Sequence, residues 1–249
     1  MFYKLDLDLD ENIFNQLLDS TIFEDITKGR KGTNLLIMNN GIPLVRTTTN
    51  YNKPAQIIKP IHKKILDLVI DKFYNQYQKK IDINNIMIEL YTQDYRKMGW
   101  HTDQTQDLKK DSYICVFSCY EKETQPQDIR KLKIKNKKDN TCSELLLDNN
   151  SVVIFSTNTN KDHVHKIVLD STKPSNNRWI GMTMRFSDTF IEFINNKVFF
   201  VESKKELKKA NQEDIINIRK YKKEENNNSE FEYPELDFSL SNSDFMEPV

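Results

Sequence analysis

Seven short apolar runs between residues 86 and 186 constrain the fold of this chain more than any other feature. Each run is rich in β-branched or aromatic residues, and polar turns of Asn, Asp, Lys and Gly separate the runs. Runs of this length and composition are typical of strands, and their close spacing favours an all-β sandwich or barrel. The runs are IMIELY, SYICVFSCY, KLKIK, ELLL, SVVIFS, KIVL and WIGMTMRF.

Helical periodicity flanks this β-rich region on both sides. Residues 11–24 and 60–79 carry apolar side chains at helical spacing, and Pro60 suits the first position of the longer helix. Residues 203–223 are charged and helix-prone, and we expect the Asn- and Glu-rich tail from Glu224 to be loose. We therefore expect three parts: N-terminal helices and a lid hairpin over 1–85, a β domain over 86–202, and a charged helical extension with a partly disordered tail over 203–249.

Two hairpins are predicted from Asn-rich turns. Asn39-Asn40-Gly41 separates the apolar runs 35–38 and 42–45, and Asn-Gly between such runs is a strong hairpin signal. Asn195-Asn196 stands at the turn of a second predicted hairpin over 190–201.

Composition narrows the class of protein. Lys plus Arg and Asp plus Glu number 37 each, so a site for a polyanion would have to be a local patch. No apolar run reaches the roughly 18 residues of a membrane span, and the acidic N-terminus is unlike a signal or transit peptide. The three cysteines, at 115, 119 and 142, have no metal-type spacing. We therefore expect a reduced intracellular protein, in the cytoplasm or nucleus.

One histidine and one carboxylate stand at a spacing typical of metal ligands. His101 and Asp103 are two residues apart, so both side chains reach the same side of an extended chain. A histidine from a later strand, His163 or His165, would complete a 2-His-1-carboxylate set, which suits Fe(II) because it leaves positions open for other ligands. Such a pair also occurs by chance, and many histidines are simply buried. The order of strand, HxD, several strands, His and Arg favours the metal site.

Further residues in this order could bind a dicarboxylate. Arg178 and Arg185 lie on or beside the last predicted strand of the region, and a guanidinium binds a carboxylate bidentately. Tyr91, on the strand that leads to His101, could add a hydroxyl hydrogen bond. The alternative is that both arginines are surface charges on an edge strand.

These segments resemble the AlkB-like branch of the Fe(II)/2-oxoglutarate dioxygenases over roughly residues 86–187. Residues 91–104 (YTQDYRKMGWHTDQ) look like that branch's tyrosine, turn and HxD segment, and residues 151–185 look like its distal-histidine and paired-arginine strands. A looser similarity over 37–51 touches the branch's N-terminal substrate lid. The resemblance implies a mainly β fold of the α+β class, a double-stranded β-helix or jelly roll flanked by N-terminal helices.

The resemblance also implies a site. His101, Asp103 and His165 would be the iron ligands, and His165 is preferred to His163 because it fits the family's His-x-aliphatic pattern. The cofactor would be Fe(II), with 2-oxoglutarate and O₂ as co-substrates.

The co-substrate site implied by the resemblance has Arg178 at the C5 carboxylate, Arg185 near the C1 end and Tyr91 in support. The family's arginines lie six residues apart, whereas here the separation is 185 − 178 = 7. Strict alternation puts positions seven apart on opposite faces of a strand. Either a β-bulge corrects the register or only one arginine binds the co-substrate.

By the same resemblance the substrate would be an alkylated base in DNA or RNA, oxidised and thereby demethylated as in nucleic-acid repair. Trp100, Tyr95 and Tyr51 are candidate stacking residues, and Thr105 stands where nucleobase-demethylating members place an acid. Basic stretches at 130–138 and after His62 could contact phosphates. Two alternatives stay open: a hydroxylase or demethylase of protein side chains with the same iron centre, and a binding module with a jelly roll but no working iron.

Overall fold

The predicted β region forms antiparallel sheets in the computed structural model, which describes residues 1–9, 12–39, 41–171 and 176–249. Its helices are α1 Phe14–Ser20, α2 Pro60–Tyr77, α3 Thr157–Asp162 and α4 Gln212–Asn227. Its strands are β1 Phe2–Asp6, β2 Glu24–Thr27, β3 Arg30–Leu36, β4 Ile42–Pro43, β5 Gln56–Ile57, β6 Asn85–Tyr91, β7 Tyr113–Tyr120, β8 Arg130–Asn136, β9 Cys142–Leu147, β10 Ser151–Ser156, β11 His163–Val168, β12 Trp179–Arg185, β13 Phe190–Ile194, β14 Lys197–Phe200, β15 Lys208–Lys209 and β16 Phe238–Ser239.

Two sheets make the body of the domain. The large sheet has the strand order β1-β10-β7-β12-β6-β3-β2, with β5 beside β3, and the small sheet has the order β11-β8-β9. Buried side chains from both sheets form one cluster between them, among them Tyr91, Val116, Leu132, Phe155, Ile167 and Trp179. This sandwich of antiparallel sheets is the expected jelly roll.

The other face of the large sheet is covered by helices. Ile65, Val69 and Phe73 on α2 are fully buried, at helical spacing, and belong to the same cluster as Ile86 and Met182 of the sheet. Strands β6, β7 and β12 are therefore mostly buried on both faces, which explains why their sequences read as nearly continuous apolar runs. None of the described helices combines the length and apolar character that crossing a membrane requires.

The first predicted hairpin is wrong. β3 pairs with β2 and β6 in the large sheet, and β4 pairs with β13 instead, so the two runs do not pair with each other. Asn40, in the middle of the predicted turn, lies outside the described residues. The hairpin of β13 and β14 is confirmed, with Asn195 and Asn196 at φ 51° and 62°, the left-handed conformation that a two-residue hairpin turn requires.

Both ends of the chain differ from expectation. The first helix ends at Ser20, and Glu24 already belongs to β2. At the other end, α4 begins only after Asn211, whose side chain caps the first turn. The tail, expected to be loose, pairs with the N-terminal part through backbone hydrogen bonds, from Val249 to Ala55 and from Ser243 to Tyr51.

His62 gives a test of this packing. It is fully buried, its Nδ1 accepts from the Lys59 N–H at 3.0 Å, and its Nε2 donates to the Thr21 hydroxyl at 3.1 Å. Burial lowers its pKa to about 4, so below the unfolded pKa of 6.5 the unfolded chain binds a proton that the folded chain does not.

We therefore expect the free energy of unfolding to fall as the pH drops from about 6.5 to about 4, by ~3 kcal/mol more than in His62→Gln, which has no titrating group at this position. Urea unfolding at a series of pH values measures the difference. The same pH dependence in both proteins would contradict a neutral, buried imidazole.

Candidate metal centre

Backbone pairing brings the two candidate histidines together. The N–H of His101 donates to the carbonyl of His165 at 3.0 Å, and the N–H of His165 donates back at 2.8 Å. Residues that exchange both bonds lie directly opposite each other in an antiparallel pair. The centroids of the two imidazole rings are consequently 4.5 Å apart, although the residues are 165 − 101 = 64 positions apart along the chain.

Asp103 completes a compact group of three ligand atoms. Its Oδ1 lies 3.7 Å from Nε2 of His101 and 3.7 Å from Nε2 of His165. The three atoms lie within 4.8 Å of one another. Two imidazoles and one carboxylate on one side of an ion form the facial set that suits Fe(II).

Charge in this group is arranged for a cation. Burial raises the pKa of the Asp103 carboxyl, but the guanidinium of Arg185, through its charge and its hydrogen bond, outweighs burial and holds that pKa well below its usual range. Burial lowers the pKa of His165 to about 3 and also lowers that of His101. Both imidazoles are therefore neutral near pH 7, the form that binds a metal ion.

Hydrogen bonds orient the ligand atoms. Both Nε and Nη2 of Arg185 donate to Oδ2 of Asp103, at 3.1 and 2.9 Å, which leaves Oδ1 facing the histidines. Nδ1 of His101 lies 3.0 Å from the Gly99 carbonyl, which can only accept. Nδ1 of His101 therefore carries the proton, and the lone pair of its Nε2 points to the ligand group.

Asn160 positions Asp103, although no motif around it indicates such a role. Its side chain accepts from the Asp103 N–H at 3.0 Å and donates to the Asp103 carbonyl at 2.8 Å. It is fully buried in α3, directly before β11. Helix α3 thus fixes the backbone of Asp103 and leads directly into the strand that carries His165.

The three residues fit a resident Fe(II), which would be held by Nε2 of His101, Oδ1 of Asp103 and Nε2 of His165. A cavity of about 310 Å³ adjoins them, and we call it the iron cavity. It has room for a small co-substrate. Its lining includes His101, Asp103, Arg185, Tyr95, Trp100, Gln104, Met98, Arg30 and, from the C-terminal helix, Lys222 and Asn226.

His163 lies outside the ligand group. Its Nδ1 is 2.8 Å from the Thr159 carbonyl, and its ring packs edge-on against Phe2. Neighbouring residues of a strand point to opposite sides, but His163 and His165 are two apart and share a face. What separates them is position along β11, because only His165 pairs with His101.

Arg178 is not among the residues that line the iron cavity. Its position therefore does not fit the expectation that it binds the C5 carboxylate of 2-oxoglutarate. β12 pairs with β6 residue for residue from Trp179 to Arg185, without a bulge. Arg178 therefore faces away from Arg185, as alternation requires. Its guanidinium donates to Glu121 at 2.6 and 2.8 Å and lies over the ring of Phe14.

The remaining predicted residues divide into two groups. Tyr95 and Trp100 line the iron cavity, as expected for substrate contacts. Tyr91, Tyr51 and Thr105 are not among its lining residues. The Tyr91 hydroxyl donates to Glu89 at 2.6 Å, Thr105 donates to Glu225, and Tyr51 is buried without a hydrogen-bond partner for its hydroxyl among the described residues.

The two histidines of β11 make a matched test of the metal site. Fe(II) binding, measured anaerobically by calorimetry, should weaken in His165→Ala. The loss should exceed about 100-fold, because removing a residue that only hydrogen-bonds to a metal ligand already costs about 10- to 100-fold in metal affinity. His163→Ala should bind Fe(II) like the parent protein, because its side chain contacts Thr159 and Phe2 instead. Equal loss in the two variants would contradict the assignment.

Comparisons with known proteins agree with this site. The family model of the 2OG-Fe(II) oxygenase superfamily matches residues 34–190, which include all three candidate ligands. No curated protein sequence matches the chain.

Two solved structures are among those that match this chain. The structure of OsALKBH1 is 16% identical with a TM-score of 0.51, over 74% of this chain and 97% of that one. A Pseudomonas putida prolyl-4-hydroxylase is 13% identical with a TM-score of 0.43, over 74% and 92%. Because the family match spans more than half of the chain and contains the His-Asp-His group, the protein belongs to the 2OG-Fe(II) oxygenases, enzymes that use Fe(II), 2-oxoglutarate and O₂.

Proposed function

We propose that this enzyme oxidises an alkylated base in single-stranded DNA or RNA. The observation that carries the proposal is the position of Trp100, at the junction of the iron cavity and a basic groove. The AlkB-like resemblance of residues 86–187 supports the same substrate class.

The basic groove is a cavity of about 410 Å³ between the β8–β9 hairpin and α4. It shares Trp100, Lys222 and Asn226 with the iron cavity. Five of its lining residues are cationic and none is acidic: Lys135, Lys137, Arg219, Lys222 and Lys223. In a chain with no net charge, such a patch favours an anionic polymer beside the iron site.

Trp100 offers a stacking surface in this groove. Its side chain is 36% exposed, unusual for so large an apolar group next to a buried site. The ammonium groups of Lys166 and Lys135 lie 4.4 and 5.4 Å from the centre of its ring. Aromatic rings that hold a base, together with cations that hold its phosphates, are the usual means of binding single strands.

When bound, Fe(II) and 2-oxoglutarate supply an oxidant that places one oxygen atom of O₂ into a substrate C–H bond, while 2-oxoglutarate becomes succinate and CO₂. An N-methyl group oxidised in this way becomes N-hydroxymethyl, which releases formaldehyde and leaves N–H on the base. The chain's part is to hold Asp103 and the two imidazoles in place and to bring the base, through Trp100 and Tyr95, to the mouth of the iron cavity.

Formaldehyde release tests the proposal directly. With Fe(II) and 2-oxoglutarate, the protein should release formaldehyde from single-stranded oligonucleotides that carry N-methylated bases, and His101→Ala should release none. The same assay on a library of methylated and unmethylated peptides is the comparison. Oxidation of peptides without reaction on any oligonucleotide would favour the protein-directed alternative.

Binding of the single strand should depend on the groove lysines. Lys135→Ala should weaken binding of an unmethylated oligonucleotide and lower the slope of log K against log salt by about 1, because one phosphate contact is lost. Lys133→Ala is the matched control. Lys133 lies on the same face of β8 but already forms an ion pair with Asp170 at 2.6 Å, so its loss should leave the slope as in the parent protein. The same slope in all three proteins would place the nucleic acid elsewhere.

A further inference from the structure

The iron cavity has to accommodate a dianion. Once bound to the metal through its keto acid end, 2-oxoglutarate would need a separate cationic partner for its second carboxylate. A carboxylate removed from water without such a partner is strongly disfavoured. Arg178, the residue expected for this task, is bound to Glu121 on the other side of β12.

Two of the three cations in the iron cavity are already engaged. Arg185 uses both Nε and Nη2 on Oδ2 of Asp103. Arg30 forms an ion pair with Glu89, to which its Nε donates at 2.6 Å. Releasing either arginine would leave a buried carboxylate without its partner, and such a loss is costly.

Lys222 is different. Its ammonium group donates to the hydroxyl of Thr48 at 2.7 Å, and no carboxylate of the described residues lies within ion-pair distance of it. Burial lowers its pKa, although Asp103 and Glu225 act in the opposite direction. A largely buried ammonium whose hydrogen-bond partner is neutral is ready to receive an anion.

The position of Lys222 relative to the iron ligands is fixed by its own helix. Asn226, one turn further along α4, accepts from the Thr102 N–H at 2.7 Å. Glu225 accepts from the N–H and the hydroxyl of Thr105, at 3.0 and 2.7 Å. Residues three and four apart share one side of a helix, so the side of α4 that holds the HxD segment also presents Lys222 to the cavity.

We propose that Lys222 binds the distal carboxylate of 2-oxoglutarate. The C-terminal helix thereby supplies the cation that the resemblance places on the last strand of the jelly roll. The inference rests on the co-substrate of the superfamily and is independent of whether a nucleic acid or a protein is oxidised.

A pair of keto acids tests it without turnover. In anaerobic protein loaded with Fe(II), 2-oxoglutarate and 2-oxobutyrate both bind through the keto acid end, but only the former has a distal carboxylate. Their dissociation constants are read from the metal-to-ligand charge-transfer absorption. Lys222→Met, which keeps most of the aliphatic stem, should weaken 2-oxoglutarate about 10- to 100-fold and change 2-oxobutyrate by less than about twofold.

Two further variants complete the experiment. Lys222→Arg keeps the charge and should retain most of the preference for 2-oxoglutarate. Lys220→Ala removes an exposed lysine from the same helix and should bind both acids like the parent protein. The proposal is overturned if Lys222→Met binds 2-oxoglutarate normally, or if it loses both keto acids equally. Weaker oligonucleotide binding with unchanged 2-oxoglutarate affinity would instead assign Lys222 to the substrate.

Discussion

The two backbone hydrogen bonds between His101 and His165 are the contacts on which the site depends. The segment that contains His101 forms no strand of the large sheet, and it runs antiparallel along β11, with further bonds from Met98 to Ile167 and from Leu169 to Arg96. An unpaired strand edge needs partners for its N–H and C=O groups. The segment that covers the free edge of the small sheet therefore also brings the imidazole of His101 to that of His165.

Next to these two histidines, residues from several elements bind the buried carboxylate and backbone of Asp103. Asp103 is 7% exposed, and its compensating cation, Arg185, comes from β12 of the large sheet. Its backbone is clamped by Asn160 of α3. Breaking a buried pair by removing one partner typically costs about 3–5 kcal/mol. The ion pair with Arg185 therefore fixes which oxygen of Asp103 faces the histidines before any metal binds. Metal-dependent catalysis requires such preorganised ligands.

The C-terminal extension is part of the site. Helix α4 contacts the HxD segment through Asn226 and Glu225, and the Tyr233 hydroxyl donates to Glu225 at 2.7 Å. The segment after the helix packs on the N-terminal part of the chain, where Arg46 donates to the carbonyls of Leu236 and Phe238. The iron cavity and the basic groove therefore share one wall, α4, that lies outside the jelly roll itself.

Much of the fold and the core of the site were predictable from local sequence. Alternating and continuous apolar runs indicate strands because successive side chains of a strand point to opposite faces. Burial of one face gives alternation, and burial of both faces gives a continuous apolar run. The His101–Asp103 spacing likewise places two ligands on one side of an extended segment, and Asn195-Asn196 specifies its own turn.

Only the tertiary structure decided what depends on pairing between distant segments. The register of β11 distinguished His165 from His163, and the regular register of β12 turned Arg178 toward Glu121. β3 found its partners in the large sheet instead of in β4. The contact of Thr102 with Asn226 spans 124 residues. No local pattern encodes such contacts, because strand register and helix docking are fixed by the packing of the whole domain.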